Sequence, residues 1–272
     1  MKRALSLLLA LVLCLSLCAC GGKNQQNEPV ETISIDSLLS DMDNGAKAQL
    51  NVGKATTIYG QISSVGSSSC TVQLIKPKGS SVFVEMPIEQ LAELNKDQFI
   101  AVNGIITSCA IKYTITATET LDLELMDSYI REEITKTSAM RSLIEFSGDT
   151  NAGMFHSMFH DYYNVSILED YVYSRGKEFL ITDDTALKEY LIGNWVYYQN
   201  FGGLDTLTLE YKNDGTSVWY YKNNFDSKVD QCDDWSVSNG VIDSIWQYPE
   251  KVYVLNDDVF LIRDYYLLIR IK

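Results

Sequence analysis

The feature that most constrains the fold is a period of two in the apolar residues, repeated in short runs along much of the chain. Apolar and polar residues alternate in this way in β-strands that bury one face. Between residues 50 and 120 the pattern predicts strands at 54–65, 70–76, 81–86, 98–107 and 111–118. After the third run, Pro87 opens a short stretch with helical spacing that ends at Leu94. The first half of the chain is therefore expected to be mainly β.

Three strands, a short helix and two more strands follow one another in the order of the OB-fold, a partly open five-stranded barrel. Gly60 and Gly104 lie inside the first and fourth predicted strands. Glycine inside a strand often marks a sharp bend, and a small barrel must coil these two strands hard. The pattern predicts an OB-fold domain over residues 33–125.

The stretch Asn44–Ile62, together with Asp97–Gly104, resembles a family of bacterial lipoproteins. The OB-fold of that family is similar to the tRNA anticodon-binding one. The family name describes a shape and does not imply a nucleic-acid ligand.

The last third of the chain returns to the strand pattern after a predicted helix at Ala186–Ile192. Eight short runs separated by turn residues predict an antiparallel meander that closes into a small barrel. Gly193-Asn194-Trp195 and Trp235–Ile242 resemble the lipocalin-like domains of extracytoplasmic bacterial proteins. The acidic stretch around Asp226–Asp234 indicates a solvated turn, because it lacks the spaced oxygen ligands and the glycine of a calcium loop.

The N-terminus predicts export and lipidation. An apolar run, Leu5–Leu17, follows two cations and is too short to span a membrane as a helix. The small residues before Cys20 resemble the lipobox of bacterial lipoproteins, in which the cysteine is acylated, with palmitate for example, after cleavage. An ordinary signal peptide cut nearby is the alternative. The resemblance implies a lipid-anchored, extracytoplasmic protein.

These patterns divide the chain into five parts. They are a signal peptide at 1–19, a tether at 20–32, the OB-fold domain at 33–125, a helical connector at 126–185 and a lipocalin-like β domain at 186–272.

The net charge of −14 argues against a nucleic-acid partner. An acidic surface repels phosphate backbones and anionic lipid head groups. Single-stranded nucleic acids are bound by basic grooves interleaved with aromatic residues, whereas the predicted OB-fold is acidic and has too few outward aromatics to stack bases. A solvated surface that keeps the protein soluble is the other interpretation of the charge.

Two pairs of residues are candidates for a bond or a metal. Cys70 opens the second predicted strand, and Cys109 precedes the fifth. These strands flank one cleft of an OB-fold, and we predict a disulfide between the two cysteines, with two buried free thiols as the alternative.

His156 and His160 are one helical turn apart, a spacing found in metal sites. They lie among methionines and aromatic residues, which favours a packing role, and neither a metal nor another cofactor is expected.

The C-terminal domain holds all four tryptophans. Trp195 and Trp235 are expected to fill its core. Neighbouring residues of a strand point to opposite faces, so runs of aromatics place some of them at the surface, unless they cover the ends of a small core. The candidate binding aromatics are Tyr197, Tyr198, Trp219, Tyr220 and Tyr265.

The sequence contains no Gly-x-Ser-x-Gly motif and no glycine-rich phosphate loop. The first hypothesis is therefore a noncatalytic binding protein for a protein, peptide or glycan, attached to the membrane by its lipid. An envelope enzyme or enzyme component, and a carrier of small ligands in the C-terminal barrel, are the alternatives.

Overall fold

The structure is a computed structural model. It describes residues 30–42, 44–140, 162–198, 206–221, 229–244, 249–262 and 266–271. The chain divides into two compact units, Met1–Val30 and Glu31–Lys272. The second unit contains all the helices and strands described below.

A closed five-stranded barrel forms the first part of this unit. Its strands are β1 (Ala55–Val65), β2 (Ser69–Leu74), β3 (Ser81–Glu85), β4 (Phe99–Ser108) and β5 (Thr114–Thr120), in the order β1-β2-β3-β5-β4. All neighbours are antiparallel except β3 and β5, which are parallel. The barrel and its strand order confirm the predicted arrangement.

Alternation along the strands fills the barrel with aliphatic side chains. Every second residue of β1 from Thr56 to Ile62 is buried, and β2 and β3 follow the same pattern. Gly60 and Gly104 are required by close contact, because a Cβ at Gly60 would lie 2.1 Å from the Gln73 carbonyl oxygen. At Gly104 it would lie 2.4 Å from Cγ2 of Ile115. Both glycines therefore allow neighbouring strands to approach.

Three short helices accompany the barrel: α1 (Ile35–Ser40), α2 (Gly45–Gln49) and α3 (Ile88–Leu91). The side chains of Ser34 and Asn44 accept hydrogen bonds from backbone N–H groups at the starts of α1 and α2, as N-caps do. Leu38, Ala48 and Leu91 bury the inner faces of the three helices in the barrel core.

The described part of the connector contains α4 (Leu123–Met140), α5 (Val165–Arg175) and a 3₁₀-helix (Gly176–Phe179). Helix α6 (Asp184–Leu191) follows it and leads into the C-terminal sheet. Helices α4 and α5 supply the centre of a hydrophobic core that also contains Ile75, just after β2, and Leu261 of the C-terminal sheet. The connector therefore packs against both the barrel and the sheet, each of which also has a core of its own.

The C-terminal part is a nine-stranded antiparallel sheet. Its strands are β6 (Gly193–Tyr198), β7 (Thr206–Tyr211), β8 (Thr216–Tyr221), β9 (Val229–Asp234), β10 (Ser236–Ser238), β11 (Val241–Asp243), β12 (Glu250–Asn256), β13 (Val259–Ile262) and β14 (Tyr266–Ile271). The order is β10-β11-β12-β13-β14-β6-β7-β8-β9. Only Trp235 separates the two outermost strands, β9 and β10, so the sheet curves until its edges nearly meet. Strand β9 forms where the sequence indicated a solvated turn.

Alternate residues of β13 are buried on opposite faces of this sheet. Phe260 and Ile262 pack with Trp195 and helix α6 inside the curve. Val259 and Leu261 pack against α4 and α5 outside it. Trp195 and Trp235 are both buried, which confirms their predicted place in the core.

Candidate functional site

One outer wall of the five-stranded barrel is covered and the other is open. Tyr59 of β1 stacks on Tyr129 of α4 with ring centroids 4.3 Å apart, and Phe99 of β4 packs against Tyr171 of α5. The β1–β4 wall therefore lies against the connector. The outward side chains of β2, β3 and β5 are half-buried or exposed, and we call this wall the open face.

The strand register arranges the open face in rows. Thr71, Phe83 and Thr114 are cross-strand partners in one row. The next row contains Ser69, Glu85 and Thr116. A half-buried phenylalanine is thus surrounded by hydroxyl groups and a carboxylate.

Hydrogen bonds hold the polar side chains of the open face in place. The Lys112 ammonium donates to the Ser81 hydroxyl at 2.5 Å and lies 5.6 Å from the centre of the Phe83 ring. The Thr116 hydroxyl donates to the Glu85 carboxylate at 3.0 Å. The face therefore offers an aromatic ring flanked by a fixed cation, a fixed anion and several hydroxyls.

Binding at the open face must use side chains. Each of the five strands is paired on both sides, so the barrel offers no free strand edge to an added peptide strand. The barrel interior is filled by its aliphatic core. Only the outward side chains are left for recognition.

A buried ionic cluster lies where the loop after β2 meets α1 and α4. The Lys76 ammonium is hydrogen-bonded to Glu133 and, at 3.0 Å, to Asp36, and it lies 4.6 Å from the centre of the Tyr162 ring. Burial alone would lower the pKa of Lys76, but these two carboxylates raise it above its ordinary value. Burial would raise the pKa of Glu133, but hydrogen bonds from Lys136 and Lys76 lower it. Each buried charge therefore lies beside at least one opposite charge, as expected of a cluster that fixes the connector to the barrel.

A buried carboxylate, Glu169, lies on α5. Its side chain is 1% exposed, and none of the described residues donates a hydrogen bond to either oxygen. Burial, with a smaller contribution from the charge of Asp170, raises the pKa of Glu169 to about 7. Strongly perturbed carboxylates of this kind are often found at functional sites. The charge that contributes to this shift is that of Asp170, the next residue in the chain, rather than a group from another element.

The predicted Cys70–Cys109 disulfide is absent from the structure, in which both cysteines are free thiols. The register explains the separation. Cys70 pairs with Val65 at the end of β1, whereas Cys109 follows the part of β4 that pairs with the start of β1. Burial raises the pKa of the Cys70 thiol, and the half-buried Cys109 thiol lies 3.5 Å from the Gln49 side-chain oxygen.

Several predicted site residues cannot be placed. Cys20, His156, His160 and Tyr265 lie outside the described residues. The backbones of the other candidate aromatics lie in strands β6 and β8, at Tyr197, Tyr198, Trp219 and Tyr220.

Lys76, Glu133 and Glu169 were not identified from the sequence. The only available signal for Glu169 was its spacing from Val165 and Val172, which places it on the apolar side of its helix. For Lys76 and Glu133 no local pattern existed, because their partners are distant in the chain.

The described residues include no group of three or more His, Cys, Asp and Glu side chains positioned to hold a metal ion. Among the helices in the described ranges, none is both long and apolar enough to cross a membrane. No family model matches the chain, and a search of the curated proteins also finds no match.

Proposed function

We propose that this chain is a lipid-anchored binding protein that acts outside the cytoplasm and holds its ligand on the open face of the five-stranded barrel. The observation that carries the proposal is the open face itself, where Phe83 lies among the ordered polar groups of Lys112, Glu85 and their hydroxyl partners. The lipobox-like sequence before Cys20 supports the anchor.

The ligand class that best fits this face is a glycan. A sugar ring presents an apolar face to an aromatic side chain and hydroxyls at its rim to polar groups. The face offers that combination through Phe83 with Gln73, Ser81 and Lys112. A peptide would normally add main-chain hydrogen bonds at a sheet edge, and this barrel has every strand paired on both sides.

The test measures calorimetric binding of chitotetraose and of soluble peptidoglycan strands to the protein and to two variants. Lys112→Ala and Gln73→Ala each remove one polar contact and should weaken binding about tenfold, which is about 1.4 kcal/mol. Lys96→Ala is the matched control, since Lys96 is exposed in the turn before β4. Its affinity should not change.

Two results contradict the proposal. One is the absence of measurable binding to either glycan by correctly folded protein. The other is binding that Lys112→Ala and Gln73→Ala leave unchanged, which would locate the ligand elsewhere.

A further inference from the structure

The chain enters the second unit at one defined end of the five-stranded barrel. The Ala55 N–H donates to the Glu31 carbonyl at 2.8 Å, and the Ile33 N–H donates to the Ala55 carbonyl at 2.9 Å. Lys54 and Glu31 form a salt bridge at 3.0 Å. We call the end of the barrel at the start of β1 the entry end.

The two most exposed large hydrophobic residues of the described chain are both at the entry end. Leu50 is 73% exposed and Ile111 is 86% exposed. Apolar residues exposed singly are common on protein surfaces, so their position relative to each other is what matters.

Contacts on both sides of Leu50 and Ile111 hold their segments together. Gln49, before Leu50, contacts Cys109 at 3.5 Å, and Asn51, after Leu50, lies 3.5 Å from the Tyr113 hydroxyl. Cys109 and Tyr113 are each two residues from Ile111. The two exposed aliphatic side chains therefore extend from adjoining segments.

The entry end differs in charge from the chain as a whole. Lys47, Lys54 and Lys112 lie in these segments, together with the carboxylates of Glu31 and Asp41. The full chain carries a net charge of −14. Lysine beside exposed aliphatic residues is the composition of surfaces that contact anionic lipid head groups.

The anchor limits which side of the protein can reach the bilayer. Cys20 and Glu31 are separated by eleven positions in the sequence, which span at most about 40 Å when fully extended. A compact unit of the size of Glu31–Lys272 is about 45 Å across. To turn its far side to the membrane, the tether would have to pass around the body, and it is too short for this.

We propose that the entry end rests on the membrane surface, with Leu50 and Ile111 inserted among the head groups of anionic lipids. This inference rests on the proposed acylation of Cys20.

The test uses hydrogen exchange on protein tethered to vesicles. A chain beginning at residue 20 keeps the whole unit Glu31–Lys272. A histidine tag replaces acylated Cys20 and binds a nickel-chelating lipid in vesicles of phosphatidylethanolamine and phosphatidylglycerol. Exchange in residues 45–53 and 108–113 should slow at least about threefold on tethering, while exchange in residues 86–96 should not change.

Paired substitutions make the test specific. The double variant Leu50→Asp and Ile111→Asp should lose the protection on vesicles, and its exchange in solution should match that of the parent protein, because both positions are exposed. Ile88→Asp is the control. Ile88 is 65% exposed and follows β3, whose last residues pair with the start of β2. The start of β2 in turn pairs with the end of β1, away from the entry end. This variant should keep the protection.

The inference is overturned if tethering gives no protection at the entry end, or if protection appears at residues 86–96 instead. The tag replaces the natural anchor, so this outcome does not depend on whether Cys20 is acylated in the cell. Acylation and glycan binding are measured separately, and either can fail while the docking result holds.

Discussion

Glu169 allows a quantitative prediction, because one substitution isolates the cost of one buried charge. Its carboxyl is 1% exposed on α5, and burial raises its pKa from 4.5 to about 7. The difference between these two pKa values corresponds to about 3 kcal/mol in the free energy of unfolding.

The direction in which the free energy of unfolding changes with pH follows from which state keeps the proton. Below about pH 4.5 the carboxyl of Glu169 is protonated in the folded and unfolded states, and it imposes no charge penalty. Between pH 4.5 and about 7 the unfolded chain loses the proton while the folded protein keeps it, so stability falls as pH rises. Above about pH 7 the folded protein has also lost the proton, and the free energy of unfolding falls no further.

Urea denaturation of the protein and of Glu169→Gln at pH 4 and pH 8 measures this directly. The variant cannot ionise, so it should be more stable than the parent by about 3 kcal/mol at pH 8 and should nearly equal it at pH 4. Glu178→Gln, at an exposed position of the 3₁₀-helix, should show no such difference. Equal stabilities of the parent and Glu169→Gln at both pH values would refute the reasoning.

Three further predictions concern packing and the thiols. Lys76→Met leaves Glu133 buried without one of its two lysines and should lower the free energy of unfolding by about 3 kcal/mol in urea titrations. Gly104→Ala should lower the free energy of unfolding by about 3 kcal/mol in the same assay, since its Cβ would lie 2.6 Å from the Thr116 carbonyl oxygen. Gly45→Ala is the control, because a Cβ at Gly45 meets nothing within 4 Å. Iodoacetamide should alkylate Cys109 before Cys70 in the native protein, as peptide mass spectrometry will show; protection of both thiols that reductant removes would instead establish their disulfide.

The barrel could be predicted because its information is local. Each strand alternates over enough residues to fix a buried face, and Gly60 and Gly104 mark the places where strands approach closely. Strand β9 could not be predicted in the same way. Val229–Asp234 carries three aspartates, and its place in the sheet is set by pairing with β8 rather than by its own pattern.

The site was less predictable than the fold because it depends on distant partners. The open face needs β3 paired with β5, so that Phe83 lies beside Thr114. Lys76 and Glu133 are 57 positions apart, and only the packing of α4 on the barrel brings them together. Cys70 and Cys109 lie apart in the structure for the same kind of reason, since strand register sets the distance between the two thiols.

The central claim is that this protein works at a membrane surface through a lipid on Cys20. Growing the expressing bacterium with an alkyne-labelled palmitate and capturing the protein measures this most directly. The account predicts label on the protein and none on Cys20→Ala, with the labelled protein in the membrane fraction. An unlabelled protein, or equal label on the Cys20→Ala variant, would contradict it.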